Sequence, residues 1–341
     1  MVRKVTAKEV ARALGISTMT VSRALNNRPN VDAKTREKVL ETARKMGYIP
    51  NHIAKSLVLR KTNTIGVVVP EITHSFFPEV VRGIEEVSYQ AGYHIILSHT
   101  AEDANREISA IETLVSKQVD GLLLSTSQNV ADYEVYRQVI QRGVPLVFYD
   151  RCVKGIGASC VSLDDAECAR KLTEHLISHG YQRIAHISGP PNVLISTTRL
   201  EGYRQALAEH GLPVEDELIV EGGFHEGDGY RAMQQLLTLP PEKRPRAVVA
   251  VNDPAAFGAM KAIREAGLRI PDDVAIVGFS DDIRANLMEA PLTTIRQNAY
   301  EIGRRAARKL IDLIEEKSSQ VEEIIVPGEL VIRRSCGCNG E

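Results

Sequence analysis

The side chains best placed to do chemistry stand at the ends of apolar runs. Asp150 and Arg151 follow "PLVFY", Asn252 and Asp253 follow "AVVAV", and Ser280 and Asp281 follow "AIVGF". Glu71, His74, Phe76 and Phe77 come just after "TIGVVVP", while Arg199 ("STTRLEGY") and Phe224 ("GGFHEGDGY") lie on later connections. Carboxylates, an amide and a guanidinium fork make paired hydrogen bonds, and aromatic rings cover apolar faces. Together they suit the capture of a polyhydroxylated or planar small molecule. Asp253, directly before a proline, has helix initiation as its alternative role.

Turnover finds no comparable constellation. The chain has no G-x-G-x-x-G after the first apolar run, no G-x-x-x-x-G-K-[ST], no G-x-S-x-G and no H-E-x-x-H. His94, His99, His175, His179 and His186 are scattered along it. We therefore expect no enzymatic activity and no cofactor; a sugar-metabolising enzyme carrying a separate N-terminal head is the remaining catalytic alternative. The five cysteines are an odd set, with Cys152, Cys160 and Cys168 at a spacing unlike that of metal ligands. The tail pair Cys336 and Cys338 has no further ligands beside it in sequence, so no metal is expected. "MVRKVTAKEV" is not a signal peptide, and no apolar run nears the roughly 20 residues of a membrane span. A reducing, cytoplasmic setting without membrane contact fits these features.

The elements that must position the candidate residues alternate regularly. Seven runs read as strands: "TIGVVVP", "YHIILSH", "VDGLLLST", "PLVFYD", "RIAHISG", "RAVVAVND" and "DVAIVGFSD". Helix-like stretches such as "FPEVVRGIEEVSYQAG" separate them. Unbroken Val/Ile/Leu runs between amphipathic helices predict an α/β body with parallel sheets covered on both faces. The residues of interest then fall at the carboxyl ends of the strands, where such sheets bind ligands. A break at 161–164 ("VSLD") would divide the body into two lobes.

The first 61 residues differ in character. They hold 14 Lys and Arg against 4 Asp and Glu, whereas the rest holds 28 against 40. A basic head on an acidic body points to a polyanion partner for the head, with a merely solvated surface as the alternative. Thr6 and Glu9 have the spacing of a capping box, and the helix they start stops at Gly15. Ser17 caps a second helix, stapled by Ile16 and Val21. A third begins at Asp32, buries Val39, Leu40, Ala43 and Met46, and ends at Gly47. This is the helix-turn-helix plan. In "STMTVSRALN", Val21, Ala24 and Leu25 face inward, leaving Thr18, Met19, Ser22 and Arg23 outward. Arg23 can donate two hydrogen bonds to guanine, and Ser17, Thr20 and Ser22 can reach phosphates.

These motifs carry a resemblance. "VTAKEVARALGISTMTVSRALN", "VDAKTREKVLETARKMGYIPN" and "AKSL" resemble the head of the LacI/GalR family of bacterial transcription regulators. The likeness continues through "IGVVVPEITHSFFPEVVRGIEE", "VDGLLL", "FYDR", "GYQRIAHISGP", "RLEGY", "VNDPAAFGAM", "VGFSDD" and "PLTTIRQ". It implies a helix-turn-helix headpiece (1–50), a hinge helix and linker (51–63), and a two-lobed body like periplasmic binding proteins (64–335), then a tail (336–341). The first lobe would span about 64–162 and 296–322, the second about 163–291 and 323–335.

The resemblance implies effector contacts at Phe76, Phe77, Asp150, Arg199, Phe224, Asn252 and Gln297. Where the family often has an aspartate directly after "GF", this chain has Ser280, leaving Asp281 as the nearest carboxylate. The implied DNA interface adds Thr6, Asn26, Thr35, Tyr48, Asn51 and Ala54, with Lys55 near phosphate and Leu57 as a minor-groove wedge. Packing of Leu57 on the head itself is the alternative. Asn51 is placed to cap a short helix from His52 to about Val58, too short to be stable alone in water.

The combined expectation is a repressor of carbohydrate-metabolism genes. It would bind near-palindromic double-stranded DNA as a homodimer, under control of a sugar or sugar derivative. A purine- or nucleoside-responsive regulator of the same plan is the alternative. No heptad run follows "RRSCGC", so no tail-mediated tetramer is expected.

Overall fold

The computed structural model describes residues 5–48, 61–128, 130 and 132–338, and the chain divides into two units, 1–62 and 63–341. In the head, α1 (Ala7–Leu14), α2 (Thr18–Leu25) and α3 (Ala33–Lys45) each begin at a side-chain cap. The Glu9 amide donates to Thr6 Oγ1 at 3.3 Å, while the Thr6 amide donates to Glu9 Oε2 at 2.8 Å. Ser17 and Asp32 accept from the amides of Thr20 (3.0 Å) and Thr35 (2.9 Å). Each such cap contributes about 1 kcal/mol. That matters here, because among the described residues of the head the buried core is only Val10, Ala11, Val21, Ala24, Val39 and Ala43.

One expected core residue is not buried: Leu40 is 44% exposed. Val39, Ala43 and Met46 already fill one helical stripe, and Leu40 sits about 100° around the helix from Val39. Residues 49–60, which include the expected hinge helix with Asn51, Ala54, Lys55 and Leu57, lie outside the described residues.

The body begins with β1 (Thr64–Val69), α4 (Phe76–Gln90), β2 (His94–His99), α5 (Ala104–Ser116) and β3 (Gly121–Leu124). Then come α6 (Glu134–Gln141), β4 (Leu146–Tyr149) and β5 (Ser159–Leu163). The second half holds α7 (Asp165–Ser178), β6 (Ile184–Ser188), α8 (Leu194–Glu209), β7 (Ile219–Glu221) and α9 (Glu226–Leu237). It continues through β8 (Ala247–Ala250), α10 (Asp253–Glu265), β9 (Ala275–Ser280) and β10 (Thr293–Arg296). The last elements are α11 (Ala299–Ile314), β11 (Glu323–Val326) and β12 (Glu329–Val331).

Two six-stranded sheets result, in the orders β11-β5-β4-β3-β1-β2 and β12-β10-β9-β8-β6-β7. Every pairing is parallel except β10 with β12. All seven runs read as strands in the sequence are strands. The region around 161–164 is the end of a further strand, β5, and the chain leaves the first lobe directly after it.

Two expected boundaries need correction. β10 pairs with β9, so the second lobe extends through residue 296. β11 pairs with β5 in the first sheet, so the chain crosses for the last time at Pro327–Gly328 and not at 323. The helix between these crossings, α11, locks onto α4 at two glycines. A Cβ on Gly83 would lie 2.1 Å from the Tyr300 carbonyl oxygen, and one on Gly303 would lie 2.0 Å from that of Val80. β2 also departs from expectation, because as an edge strand it leaves Ile96 and Leu97 exposed. The cysteines resolve as one disulfide, Cys152–Cys160, and three free thiols.

Candidate nucleic-acid interface and ligand cleft

In the head, the short turn Gly15-Ile16-Ser17 delivers α2 with its polar face outward. Thr18, Met19, Ser22 and Arg23 are all exposed, Met19 by 62%. Ser17 and Thr20 share a hydroxyl–hydroxyl bond of 2.9 Å beside the free amides of the helix start, a donor cluster suited to phosphate. Asn26 spends its amide donor on the Ser22 carbonyl (2.8 Å), and the Thr6 hydroxyl belongs to the capping box. Thr35 lies in the first turn of α3, and Tyr48 is half-buried against the head core.

In the body, the carboxyl ends of both sheets face one cleft. The first lobe supplies Glu71, His74, Phe76, Phe77, Glu102, Asp150 and Arg151. The second supplies Ile195, Arg199, Phe224, His225, Asn252, Pro254, Ser280 and Asp282, and Gln297 stands where the chain crosses back. Seven of the eight expected effector residues are therefore brought together.

The eighth, Asp281, is not. Its carboxylate is engaged by Arg296 (2.8 Å) and Arg333 (2.6 Å), away from the cleft. Left-handed backbone at Ser280 (φ 135°) and Asp281 (φ 56°) turns the chain so that Ser280 and Asp282 face inward instead. That turn is not visible in residue types. Glu102, Ile195, His225, Pro254 and Asp282 were missed. Glu102 follows the end of β2, and reading every strand end alike would have found it.

The arginines of the cleft leave Asp150 without a hydrogen-bonded cation. Arg151 pairs with Glu102 at 2.8 and 2.9 Å, while its approach to Asp150 is only 3.9 Å. Asp150 is buried and left-handed (φ 59°), and burial, only partly offset by Arg151, pushes its carboxyl up to about 6. Arg199 is fully engaged by the wall. It bonds Asp165 at 2.8 and 2.7 Å and the Val251 carbonyl at 2.6 Å, and it lies over the Phe279 ring at 3.8 Å. Asn252 caps α10 through the Ala255 amide and donates to the Phe224 carbonyl, both at 2.9 Å, so it positions the Phe224 ring. Asp253 accepts from Thr294 (2.6 Å) and the Asp282 amide (2.7 Å), and burial raises its carboxyl to about 7. It braces the cleft floor and does not cap α10.

The lobes touch across this cleft. The Arg151 guanidinium lies 4.4 Å from the Phe224 ring centre, and the rings of His74 and His225 are 5.8 Å apart. The Ser75 amide donates to Asp282 and the Ile283 amide to the Ser75 hydroxyl, both at 3.4 Å. These are contacts that opening would break.

Residues 62–334 match the family of periplasmic binding proteins and sugar binding domain of LacI family, and residues 6–51 match the bacterial regulatory proteins, lacI family. The ribose operon repressor of Escherichia coli (strain K12) is 37% identical over 333 residues, 97% of this chain and 99% of that protein. The HTH-type transcriptional repressor CytR of the same strain is 35% identical over 330 residues, 97% of this chain and 96% of that one. A solved structure of the lac repressor dimer bound to operator and the anti-inducer ONPF has a TM-score of 0.87 at 28% identity, covering 98% of this chain and 99% of that one.

Proposed function

The chain belongs to the LacI family of bacterial regulatory proteins, and on that premise we propose that it is a cytoplasmic, non-catalytic repressor whose operator affinity is set by a sugar or sugar derivative in the cleft. The observation that carries this reading is Asp150, a buried carboxylate beside aromatic side chains; its nearest cation, Arg151, stays 3.9 Å away and bonds Glu102 instead. A ligand rich in hydroxyl donors satisfies it, and the rings cover that ligand's apolar faces. Phe76 and Phe77 meet edge to face with centres 5.1 Å apart, so they form a corner and not a slot for a flat base. That favours a sugar over a purine or nucleoside.

Two copies are required, because one recognition helix reads only a few base pairs and a two-fold pair doubles the site. Exposed apolar side chains support a homodimer: Ile96 and Leu97 on the edge strand β2, and Ile283 and Leu287 (77% and 76% exposed) in the second lobe. Effector binding acts through the crossings at residues 163–165, 296–299 and 327–328, and the ligand must bind the two lobe arrangements with different affinity. Leu57 is the proposed minor-groove wedge at the operator, and equal operator bending by wild type and Leu57→Ala would remove that role.

The test is a thermal-shift screen of the purified protein against sugars, sugar phosphates, sugar acids and purines. A shift by one sugar class that is lost in Asp150→Asn supports the proposal. A shift by purines alone transfers the cleft to the nucleoside reading.

A further inference from the structure

The sequence leaves the tail pair Cys336 and Cys338 without partners, and the fold supplies them. The last turn of α7 carries His175 and its C-terminal cap is His179, four residues on, so both imidazoles lie on one side of the helix. Their rings stand 4.6 Å apart. The tail, following β12, brings both sulfurs to them. His175 Nε2 is 3.2 Å from Cys336 Sγ and 3.7 Å from Cys338 Sγ, and His179 Nε2 is 2.9 Å from Cys338 Sγ. All four ligand atoms fall within 4.8 Å of one another.

We infer that His175, His179, Cys336 and Cys338 form a structural zinc site that staples the end of the chain to α7. Two imidazole nitrogens and two thiolates are a zinc ligand set, and a tetrahedron with bonds of about 2.0–2.3 Å has ligand–ligand edges of about 3.3–3.8 Å. The observed separations need shifts of an ångström or less to meet it.

The scaffold is prepared for an ion. Gly337 adopts φ 97°, which lets the Cys-Gly-Cys turn present both sulfurs, and a Cβ there would approach the Tyr181 hydroxyl to 3.0 Å. The tail is fixed up to the first sulfur: the Thr293 amide donates to Ser335 Oγ (2.8 Å), and Ser335 Oγ donates to the Ile276 carbonyl (2.6 Å). The Thr293 hydroxyl lies 3.1 Å from Cys336 Sγ, the outer-shell hydrogen bond that thiolate ligands commonly receive. Cys336 is buried, whereas His179 is exposed and leaves an entry path. Binding releases the two thiol protons to water. The opposite end of α7 carries Asp165, which grips Arg199 in the cleft wall, so the ion would anchor the helix that supports that wall.

The test uses the full chain purified under reducing conditions without chelator or histidine tag. Metal analysis should find one zinc per chain, and replacement by Co2+ should give tetrahedral visible bands with a thiolate charge-transfer band. Zinc removal should lower Tm by about 5 °C or more. Cys338→Ser and His179→Gln, both at exposed or half-exposed positions, should each weaken zinc binding at least about tenfold. A wild type that retains no zinc and shows no charge-transfer band overturns the inference. So does undiminished zinc binding in a chain carrying both Cys338→Ser and His179→Gln, which would move the ion to Glu71, His74 and His225.

Discussion

Replacing Asp150 with asparagine should stabilise the protein while abolishing its effector response. Asparagine keeps the shape and tolerates the left-handed backbone at this position (φ 59°), so the change is chiefly one of charge. Burial raises the carboxyl from 3.8 to about 6, and each tenfold change in proton affinity is worth about 1.4 kcal/mol. The ionised form therefore costs the native state about 3 kcal/mol at pH 7–8. The sign follows from proton uptake: between pH 4 and 6 the folded state holds this proton and the unfolded state has lost it. Stability contributed by Asp150 is thus complete below pH 4, falls as pH rises to about 6, and is flat above. Asp253 contributes a similar fall reaching about pH 7, so the difference between wild type and Asp150→Asn isolates Asp150. Urea unfolding at closely spaced pH values measures it. The two proteins should be equally stable at pH 4 and differ by up to about 3 kcal/mol at pH 8, with the variant higher. Effector affinity of the wild type should weaken about tenfold per pH unit below 6, because the ligand needs the carboxylate. A variant less stable at pH 8, or a difference that does not change with pH, refutes the reasoning.

Other perturbations should separate positioning from binding. Arg199→Ala strands the Asp165 carboxylate, so it should destabilise the second lobe by about 3–5 kcal/mol in urea; a stable variant would show that Asp165 is hydrated and the wall open. Arg23→Ala should cost about 1–3 kcal/mol at one base pair of the operator in competition binding, whereas uniform weakening across sequences would reduce Arg23 to a phosphate contact. Operator affinity should fall steeply with salt, and a flat dependence would remove the basic head from the interface. Leu97→Glu should convert dimer to monomer in sedimentation and weaken operator binding; an unchanged dimer would place the interface away from β2.

What could be read from the sequence was mostly local. The caps at Thr6, Ser17 and Asp32 act within three residues, so the three head helices and their exposed faces were legible. The seven strands declared themselves as continuous apolar runs, and the cleft residues followed because ligands sit at strand ends. β7 is three residues long and ends in a glutamate, and β10 reads "TTIR", so neither has an apolar signature. β11 looks the same whichever sheet it joins; only its pairing with β5 decides. The exchange of Asp281 for Asp282 depends on backbone angles that residue types do not announce. His175 and Cys336 are 161 residues apart, and only the folded second lobe makes them neighbours.

The most direct test of a ligand-controlled DNA switch is an anisotropy titration of labelled operator, recovered by selection from random duplexes, with and without the ligand found in the screen. Wild type should change operator affinity at least about tenfold when the ligand is added, an allosteric coupling of about 1.4 kcal/mol or more. Asp150→Asn should match the ligand-free wild type and ignore the ligand. Operator affinity that does not move with a ligand bound in the cleft would contradict the coupling between cleft and head.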